Sequence, residues 1–136
     1  MSQPKILIVE DETPLAMMMV SVLTRFHCDV SVAHNGKKAM ELASEKRFDL
    51  ITLDIELPDA TGFQICRELK QRHISYKTPV IFISASPCQQ DMDEAKKHGA
   101  VDYLSKPFDT TVFVNKIMHH ARVQRPKRQE SEGPVA

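Results

Sequence analysis

Hydrophobic positions along the chain follow two periodicities that alternate from one segment to the next. Short apolar runs rich in β-branched residues predict five strands, at Lys5–Val9, Asp29–Ala33, Asp49–Leu53, Thr78–Ile83 and Ala100–Leu104. Between and after them, apolar residues recur every three or four positions, which is typical of amphipathic helices. This pattern predicts five helices, at Pro14–Phe26, Lys37–Lys46, Gly62–Arg72, Pro87–His98 and from the cap Asp109 to Ala121.

The regular alternation of strand and helix predicts an α/β fold, a three-layer sandwich. Strands and helices in this order form a parallel sheet between two helical layers, joined by right-handed crossovers. The uncharged run Leu50–Leu53 before Asp54 is typical of a strand buried on both faces. The 136 residues are enough for one domain, which we expect at residues 1–121. A polar tail or linker stub, predicted to be disordered, follows at residues 122–136.

Charge and cysteine content narrow the class of protein. Lys and Arg number 18, as do Asp and Glu, so the net charge does not indicate nucleic acid or a membrane surface as a partner. The basic segment Arg122–Arg128 is more typical of a solvated tail than of a nucleic-acid contact. Three cysteines without a CxxC pair, and the lack of a signal-peptide pattern at the N-terminus, predict reduced thiols in a cytoplasmic protein.

Polar side chains follow four of the predicted strands at the points where the strands end. They are Glu10 and Asp11 after the first strand, Asp54 after the third, Ser84 after the fourth and Lys106 after the fifth. Because the carboxyl ends of parallel strands meet at the edge where ligands bind, we expect these side chains to converge. Clustered carboxylates need a positive partner, and oxygen ligands alone favour a hard cation such as Mg²⁺. With an ammonium and a hydroxyl, the set predicts a phosphoryl-transfer site around a carboxylate nucleophile.

Four motifs in the expected order resemble the receiver domains of two-component response regulators, over about residues 4 to 121. The motifs are Ile8-Val9-Glu10-Asp11-Glu12, the stretch from Leu53 to Gly62, Ile83-Ser84-Ala85, and the stretch from Gly99 to Phe108. The resemblance implies a flavodoxin-like (βα)5 fold with five parallel strands in the order 2-1-3-4-5. It also implies a signalling receiver that catalyses its own phosphorylation and dephosphorylation, and not a conventional metabolic enzyme.

The resemblance implies that Asp54 is phosphorylated from a partner histidine kinase or histidine phosphotransfer protein. Asp11 and Asp54 would then give carboxylate oxygens to Mg²⁺, and the backbone carbonyl of Glu56 would be the third protein ligand. Glu10 would act mainly through a bound water. The Glu56 side chain occupies a position that the family varies, on the path of attacking water. We expect it to alter the lifetime of the phosphoryl group, in a direction that the sequence does not give.

Further implied roles fall near the ends of the fourth and fifth strands. Lys106 would pair with the phosphoryl group, and the Lys106–Pro107 peptide bond is expected to be cis. Ser84, in place of a threonine, and the Ala85 amide would hold the phosphoryl oxygens. Tyr103 matches an aromatic switch position that responds to Ser84, so phosphorylation would shift the populations of two conformations. The face formed by the fourth helix, fifth strand and fifth helix would then contact an unknown target protein, with the chain a monomer or a weak phosphorylation-dependent dimer.

Other interpretations of the same residues stay open at this point. The Asp54-Ile-Glu56 spacing is similar to that of haloacid-dehalogenase-like phosphatases, although their motif normally ends the first strand, carries Asp in place of Glu and belongs to a longer chain with a cap. A pseudo-receiver that only binds partners is a third hypothesis. The chain could also be the receiver portion of a larger regulator or hybrid histidine kinase. For single residues, the alternatives are a solvated helix N-terminus at Glu10-Asp11-Glu12 and an ordinary half-buried aromatic at Tyr103.

Overall fold

Within the residues that the structure describes, five parallel strands form a central sheet that five helices cover. The computed structural model describes residues 3–74, 77–85 and 88–132, and only the backbone from residue 122 onward. The strands are β1 (Lys5–Val9), β2 (Asp29–Ala33), β3 (Leu50–Asp54), β4 (Val80–Ser84) and β5 (Asp102–Ser105). The helices are α1 (Thr13–Arg25), α2 (Gly36–Glu45), α3 (Gly62–Gln71), α4 (Gln89–Lys97) and α5 (Thr110–Glu132). This alternation confirms the predicted α/β class.

The strands are hydrogen-bonded in the order β2-β1-β3-β4-β5, and every pair is parallel. This confirms the flavodoxin-like order that the family resemblance implies. The register sets Val9 beside Leu53. It sets Asp54 beside Ile83, and Ser84 beside Ser105. The carboxyl ends of β1, β3, β4 and β5 therefore finish nearly level, and the residues that follow them share one edge of the sheet.

Each face of the sheet has its own hydrophobic core. Along β1, Leu7 and Val9 belong to one core and Ile6 and Ile8 to the other, since successive side chains of a strand point to opposite faces. The first core continues into α2, α3 and α4, and the second into α1 and α5. Strands buried on both faces need the uninterrupted apolar runs seen in the sequence. Each large aliphatic side chain contributes about 1.5–3 kcal/mol when it is fully buried.

The last helix is longer than the sequence pattern predicts. Its backbone is helical to Glu132, whereas the apolar spacing predicts a helix that ends at Ala121. The disordered tail at residues 122–136 stays a prediction. This segment is rich in Arg, Lys, Gln and Glu. These residues favour helix as well as solvated coil, whereas Pro126 within the segment disfavours a helix interior. Residues 133–136 lie outside the described ranges, and the domain boundary at residue 121 stays a prediction.

Two other helices differ from prediction at their ends. α1 ends at Arg25 and Phe26 is its C-cap, so Phe26 is 50% exposed and does not join the buried stripe. α4 begins at Gln89, after Cys88 as N-cap, and its predicted start at Pro87 lies outside the described residues. None of the described helices has both the length and the hydropathy needed to cross a lipid bilayer.

Candidate functional site

Asp54 is the last residue of β3, and it is buried at the carboxyl edge of the sheet. Its Oδ1 accepts a hydrogen bond of 3.0 Å from the Glu56 amide, and its Oδ2 accepts one of 2.8 Å from Lys106 Nζ. Gly62 packs directly on the backbone of Asp54, where a Cβ would come within 2.6 Å of the carbonyl oxygen. The strand, the turn after it and the glycine together fix the position of this carboxylate.

Lys106, which follows β5, connects the carboxylates of the site. Its backbone amide donates to the Ser84 carbonyl at 2.8 Å, which fixes the start of its side chain beside β4. Besides Asp54, its Nζ lies 3.0 Å from Glu10 Oε1 and 3.4 Å from Glu12 Oε1. Burial alone would lower the pKa of Lys106, but its hydrogen bonds to Asp54 and Glu10 raise it well above its usual range. The ammonium therefore stays charged in this site.

Glu10, directly after β1, is fully buried. Burial and the neighbouring Asp54 carboxylate raise its pKa to about 7, although the Glu12 amide and Lys106 act in the opposite direction. Its Oε2 accepts hydrogen bonds of 3.1 Å from the Glu12 amide and from Lys106 Nζ. Its Oε1 lies 3.0 Å from the same Nζ but has no hydrogen-bond partner of suitable angle. A buried carboxylate oxygen in this state calls for a further positive partner.

Three carboxylates at this edge are close enough to share one metal ion. Glu10, Asp11 and Asp54 each offer an oxygen, and these oxygens lie within 4.8 Å of one another. Asp11 is exposed, so the cluster is open to solvent on that side. The donors are all carboxylate oxygens, which suits Mg²⁺, an ion that keeps several waters and binds through a few carboxylates. The unpartnered Glu10 oxygen and the donor set therefore fit the predicted cation.

Ser84 and Tyr103 lie on neighbouring strands close to this edge. Ser84 ends β4 and is buried, and Ala85 after it is exposed. The Tyr103 side chain packs against the core that contains α2, α3 and α4, with its hydroxyl buried. Burial raises the pKa of Tyr103, and the nearby Ser84 hydroxyl partly offsets this rise. The Lys106–Pro107 peptide bond is cis, the geometry that the resemblance implies.

An apolar cleft of about 540 Å³ opens beside the carboxylates, between α1 and the turn after β5. Apolar side chains form most of its wall, and Glu12 and Lys106 are the charged residues that line it. The lining residues are Glu12, Leu15, Met18, Ala85, Lys106, Pro107 and Phe108. A molecule that approaches Lys106 from this side meets apolar surface first.

The structure brings most of the predicted site residues together at one edge. Those that converge there are Glu10, Asp11, Asp54, Ser84, Ala85 and Lys106. The Glu56 side chain is exposed, and its backbone makes the contact to Asp54. Sequence reasoning missed two residues. Glu12 contacts Lys106, and its place in the acidic run Glu10-Asp11-Glu12 was a sequence signal for this contact. Asp59 accepts a hydrogen bond from the start of α2, and nothing near it in the sequence indicates that partner.

Comparisons with known proteins agree with this geometry. Residues 6–118 match the family described as response regulator receiver domain. The chain is similar to the response regulator ArlR of Staphylococcus saprophyticus, with 38% identity over 123 residues that make up 90% of this chain and 54% of that protein. The chain thus spans about half the length of this curated relative.

Solved structures of receiver domains have the same fold. The receiver domain of Francisella response regulator 1452 is similar with a TM-score of 0.83 and 28% identity, over 90% of this chain and 99% of that chain. The chemotaxis response regulator CheY4 of Vibrio cholerae is similar with a TM-score of 0.81 and 27% identity, over 88% and 99%. The chain belongs to the family of response regulator receiver domains of two-component systems. This membership does not favour the haloacid-dehalogenase-like phosphatase.

Proposed function

We propose that Asp54 accepts a phosphoryl group from a phosphohistidine of a partner histidine kinase or histidine phosphotransfer protein. The observation that carries this proposal is the 2.8 Å contact between Lys106 Nζ and Asp54 Oδ2 inside a cluster of carboxylates. An Asp54 oxygen forms the new P–O bond while the P–N bond of the phosphohistidine breaks, and the histidine nitrogen keeps the electron pair. Little covalent chemistry is required of the protein, so positioning and charge stabilisation supply the rate.

The side chains around Asp54 are placed to neutralise the incoming group. The Lys106 ammonium would pair with a phosphoryl oxygen in place of the carboxylate oxygen that it now contacts. The Ser84 hydroxyl and the Ala85 amide would donate hydrogen bonds to the remaining oxygens. These donors come from the ends of β4 and β5, so the level register of the strands is what sets them beside Asp54.

The carboxylates account for the metal dependence that we propose. Asp11, Asp54 and the backbone carbonyl of Glu56 would hold Mg²⁺, with Glu10 acting through a bound water. When bound, Mg²⁺ supplies positive charge to the oxygens of the transferred group. The Glu56 carboxylate is exposed next to this position, and we expect it to change the lifetime of the phosphoryl group.

The output that we propose is a change in protein contacts on the face formed by α4, β5 and α5. Tyr103 in β5 lies near Ser84, so a Ser84 hydroxyl drawn toward a phosphoryl group changes the surroundings of the ring. Met92 in α4, Val101 just before β5 and Val112 in α5 are large hydrophobic side chains that are 39–45% exposed. Each is accessible to a protein partner.

Phosphorylation of the purified chain tests the proposal directly. Incubated with acetyl phosphate and Mg²⁺, the wild type is expected to gain one phosphoryl group, located on Asp54 by peptide mass spectrometry. Asp54→Asn should gain none, and Asp49→Asn, a matched carboxylate before β3 at the opposite edge, should behave as the wild type. Without Mg²⁺, the wild type should react far more slowly. A wild type that stays unmodified, or an Asp54→Asn variant that signals normally, would support a pseudo-receiver instead.

A further inference from the structure

The loop between β3 and α3, residues 55–61, forms a closed turn. The Ile55 amide donates to the Ile83 carbonyl at 2.9 Å, and the Gly62 amide donates back to the Ile55 carbonyl at 2.8 Å. Glu56 and Thr61 form an antiparallel bridge across the turn. The loop therefore leaves the sheet and returns to it through backbone hydrogen bonds, and Glu56 lies at its first corner beside Asp54.

Asp59, near the tip of this loop, is bonded to a different element. Its Oδ1 accepts a hydrogen bond of 2.8 Å from the Gly36 amide, and its Oδ2 accepts one of 3.0 Å from the Lys37 amide. These are amides of the first turn of α2, which have no carbonyl partner within their own helix. The hydrogen bond from Gly36 is the largest cause of a lowered pKa of Asp59, so the carboxylate is ionised at neutral pH. A carboxylate at a helix N-terminus is also favoured by the helix dipole.

The start of α2 does not depend on Asp59 alone. Asn35 occupies the N-cap position and accepts a hydrogen bond of 2.8 Å from the Lys38 amide. The helix thus has one cap from its own sequence and a second from a loop 22–23 residues further along the chain. The second cap links two elements, so its loss removes the two hydrogen bonds between the loop tip and α2. The backbone hydrogen bonds of the loop itself, including that of the Leu57 amide to the Ala60 carbonyl, do not replace this link.

We propose that Asp59 is a positioning residue for the metal site, an inference that rests on the proposed function. Its two bonds to the α2 amides hold the loop so that the Glu56 carbonyl faces the position of Mg²⁺ and the Glu56 amide stays on Asp54. A residue that orients a ligand in this way acts as an outer partner of the metal, and losing such a partner typically weakens metal binding about 10–100-fold. Because Asp59 orients the ligand through the loop backbone, we expect the lower end of that range.

Three variants of the full chain separate this role from a general effect on stability. Asp59→Ala removes both bonds to α2, Asp59→Asn keeps one acceptor oxygen for the Gly36 amide, and Asn35→Ala removes the other cap of the same helix. Magnesium affinity is measured by isothermal titration calorimetry. We expect Asp59→Ala to raise the dissociation constant about tenfold, Asp59→Asn to raise it less, and Asn35→Ala to leave it unchanged although its melting temperature falls.

Amide hydrogen exchange in the absence of metal provides a second readout. Asp59→Ala should exchange faster at residues 55–60 than the wild type, and Asn35→Ala should not. An unchanged Mg²⁺ affinity in Asp59→Ala, or an equal loss of affinity in Asp59→Ala and Asn35→Ala, would overturn the positioning role while the proposed function stands. A wild type that binds no Mg²⁺ would overturn both.

Discussion

At the scale of single residues, Lys106 determines the charge balance of the site. Its ammonium contacts the carboxylates of Glu10, Glu12 and Asp54, two of which are buried. Negative groups packed this closely would otherwise repel one another and shift toward their protonated forms. Even so, burial and then the Asp54 carboxylate raise the pKa of Glu10 to about 7, and Lys106 only partly opposes this rise. Without a metal ion, the carboxylates of the site therefore outnumber the one ammonium beside them.

This balance predicts a pH dependence of stability for the metal-free protein. Glu10 has a pKa near 4.5 when unfolded and about 7 when folded, so the folded state binds more protons between these values. Stability should then fall as pH rises from about 5 to 7. A shift from 4.5 to about 7, at about 1.4 kcal/mol per pKa unit, sets an upper limit of about 3–4 kcal/mol for this loss. Urea unfolding in EDTA at several pH values measures it.

Glu10→Gln is the matched variant for that measurement. It keeps the shape of the side chain and removes its titration, so its stability should be flatter across the same pH window. Saturating Mg²⁺ should also flatten the wild-type curve, because a bound cation favours the ionised carboxylate. If the stability of the wild type and that of Glu10→Gln changed with pH in parallel, Glu10 would not be the group responsible for the pH dependence.

At the scale of elements, α2 and α3 begin in the same way but against different neighbours. Each has a side-chain cap followed by glycine: Asn35 before Gly36 in α2, and Thr61, in a capping box with Gln64, before Gly62 in α3. The side chains of caps satisfy amides that the helix leaves free, which places both starts close to the sheet edge. The two glycines differ in what they touch, and this difference can be measured.

Gly62→Ala should destabilise the protein far more than Gly36→Ala. A Cβ at Gly62 would lie 2.6 Å from the Asp54 carbonyl oxygen, and the backbone of a central strand cannot move away. A Cβ at Gly36 would lie 3.0 Å from Ile65 Cδ1, the end of a side chain that can turn. Overpacking of this kind costs about 1–3 kcal/mol, and we expect Gly62→Ala at the upper end and Gly36→Ala below about 1 kcal/mol.

Urea unfolding gives both free energies, and the rate of phosphorylation by acetyl phosphate gives a second comparison. Because Gly62 packs on Asp54 itself, Gly62→Ala should slow phosphorylation relative to the wild type. Equal costs in stability for the two variants would contradict the contact geometry at Gly62.

At the scale of the whole molecule, the sequence predicted those strands and site residues that a local pattern of apolar and polar residues indicates. The uncharged run before Asp54 and the turn after it predicted a buried strand that delivers a carboxylate to an edge, and β3 has this form. Periodicity alone did not give the strand order, which followed from the resemblance of four motifs. The convergence of Glu10, Asp54 and Lys106 followed from the parallel register, because residues at the same end of parallel strands meet.

The features that the sequence did not predict depend on contacts between distant positions or on ambiguous composition. Asp59 binds amides 22–23 residues away, and no local pattern indicates this contact. Lys106 reaches Glu12 over 94 residues, and only the place of Glu12 in the acidic run gives a signal for it. The extension of α5 beyond Ala121 was missed because charged residues suit a solvated helix and a solvated coil equally well. Phe26 fits the helical spacing but lies just past the end of α1.

The predicted domain boundary leads to a test at this scale. Ala121 is fully buried in the core that contains α1 and α5, so the domain includes it. If the predicted boundary is right, a chain that ends at Ala121 should keep its fold. Its free energy of unfolding should change by less than about 0.5 kcal/mol, as for changes outside a core. Circular dichroism with urea measures this, and a larger loss would place the boundary further along α5.

The carboxylate cluster lies at one rim of the sheet, and the connections that enter the strands lie at the opposite rim. The connections that enter the strands there, such as residues 26–28 before β2 and 46–49 before β3, contain no member of the acidic cluster. Fluorescent labels or surface tethers can be attached at that rim while the side with the carboxylate cluster stays unobstructed. The same protein can thus be immobilised in a known orientation and its modification followed in real time.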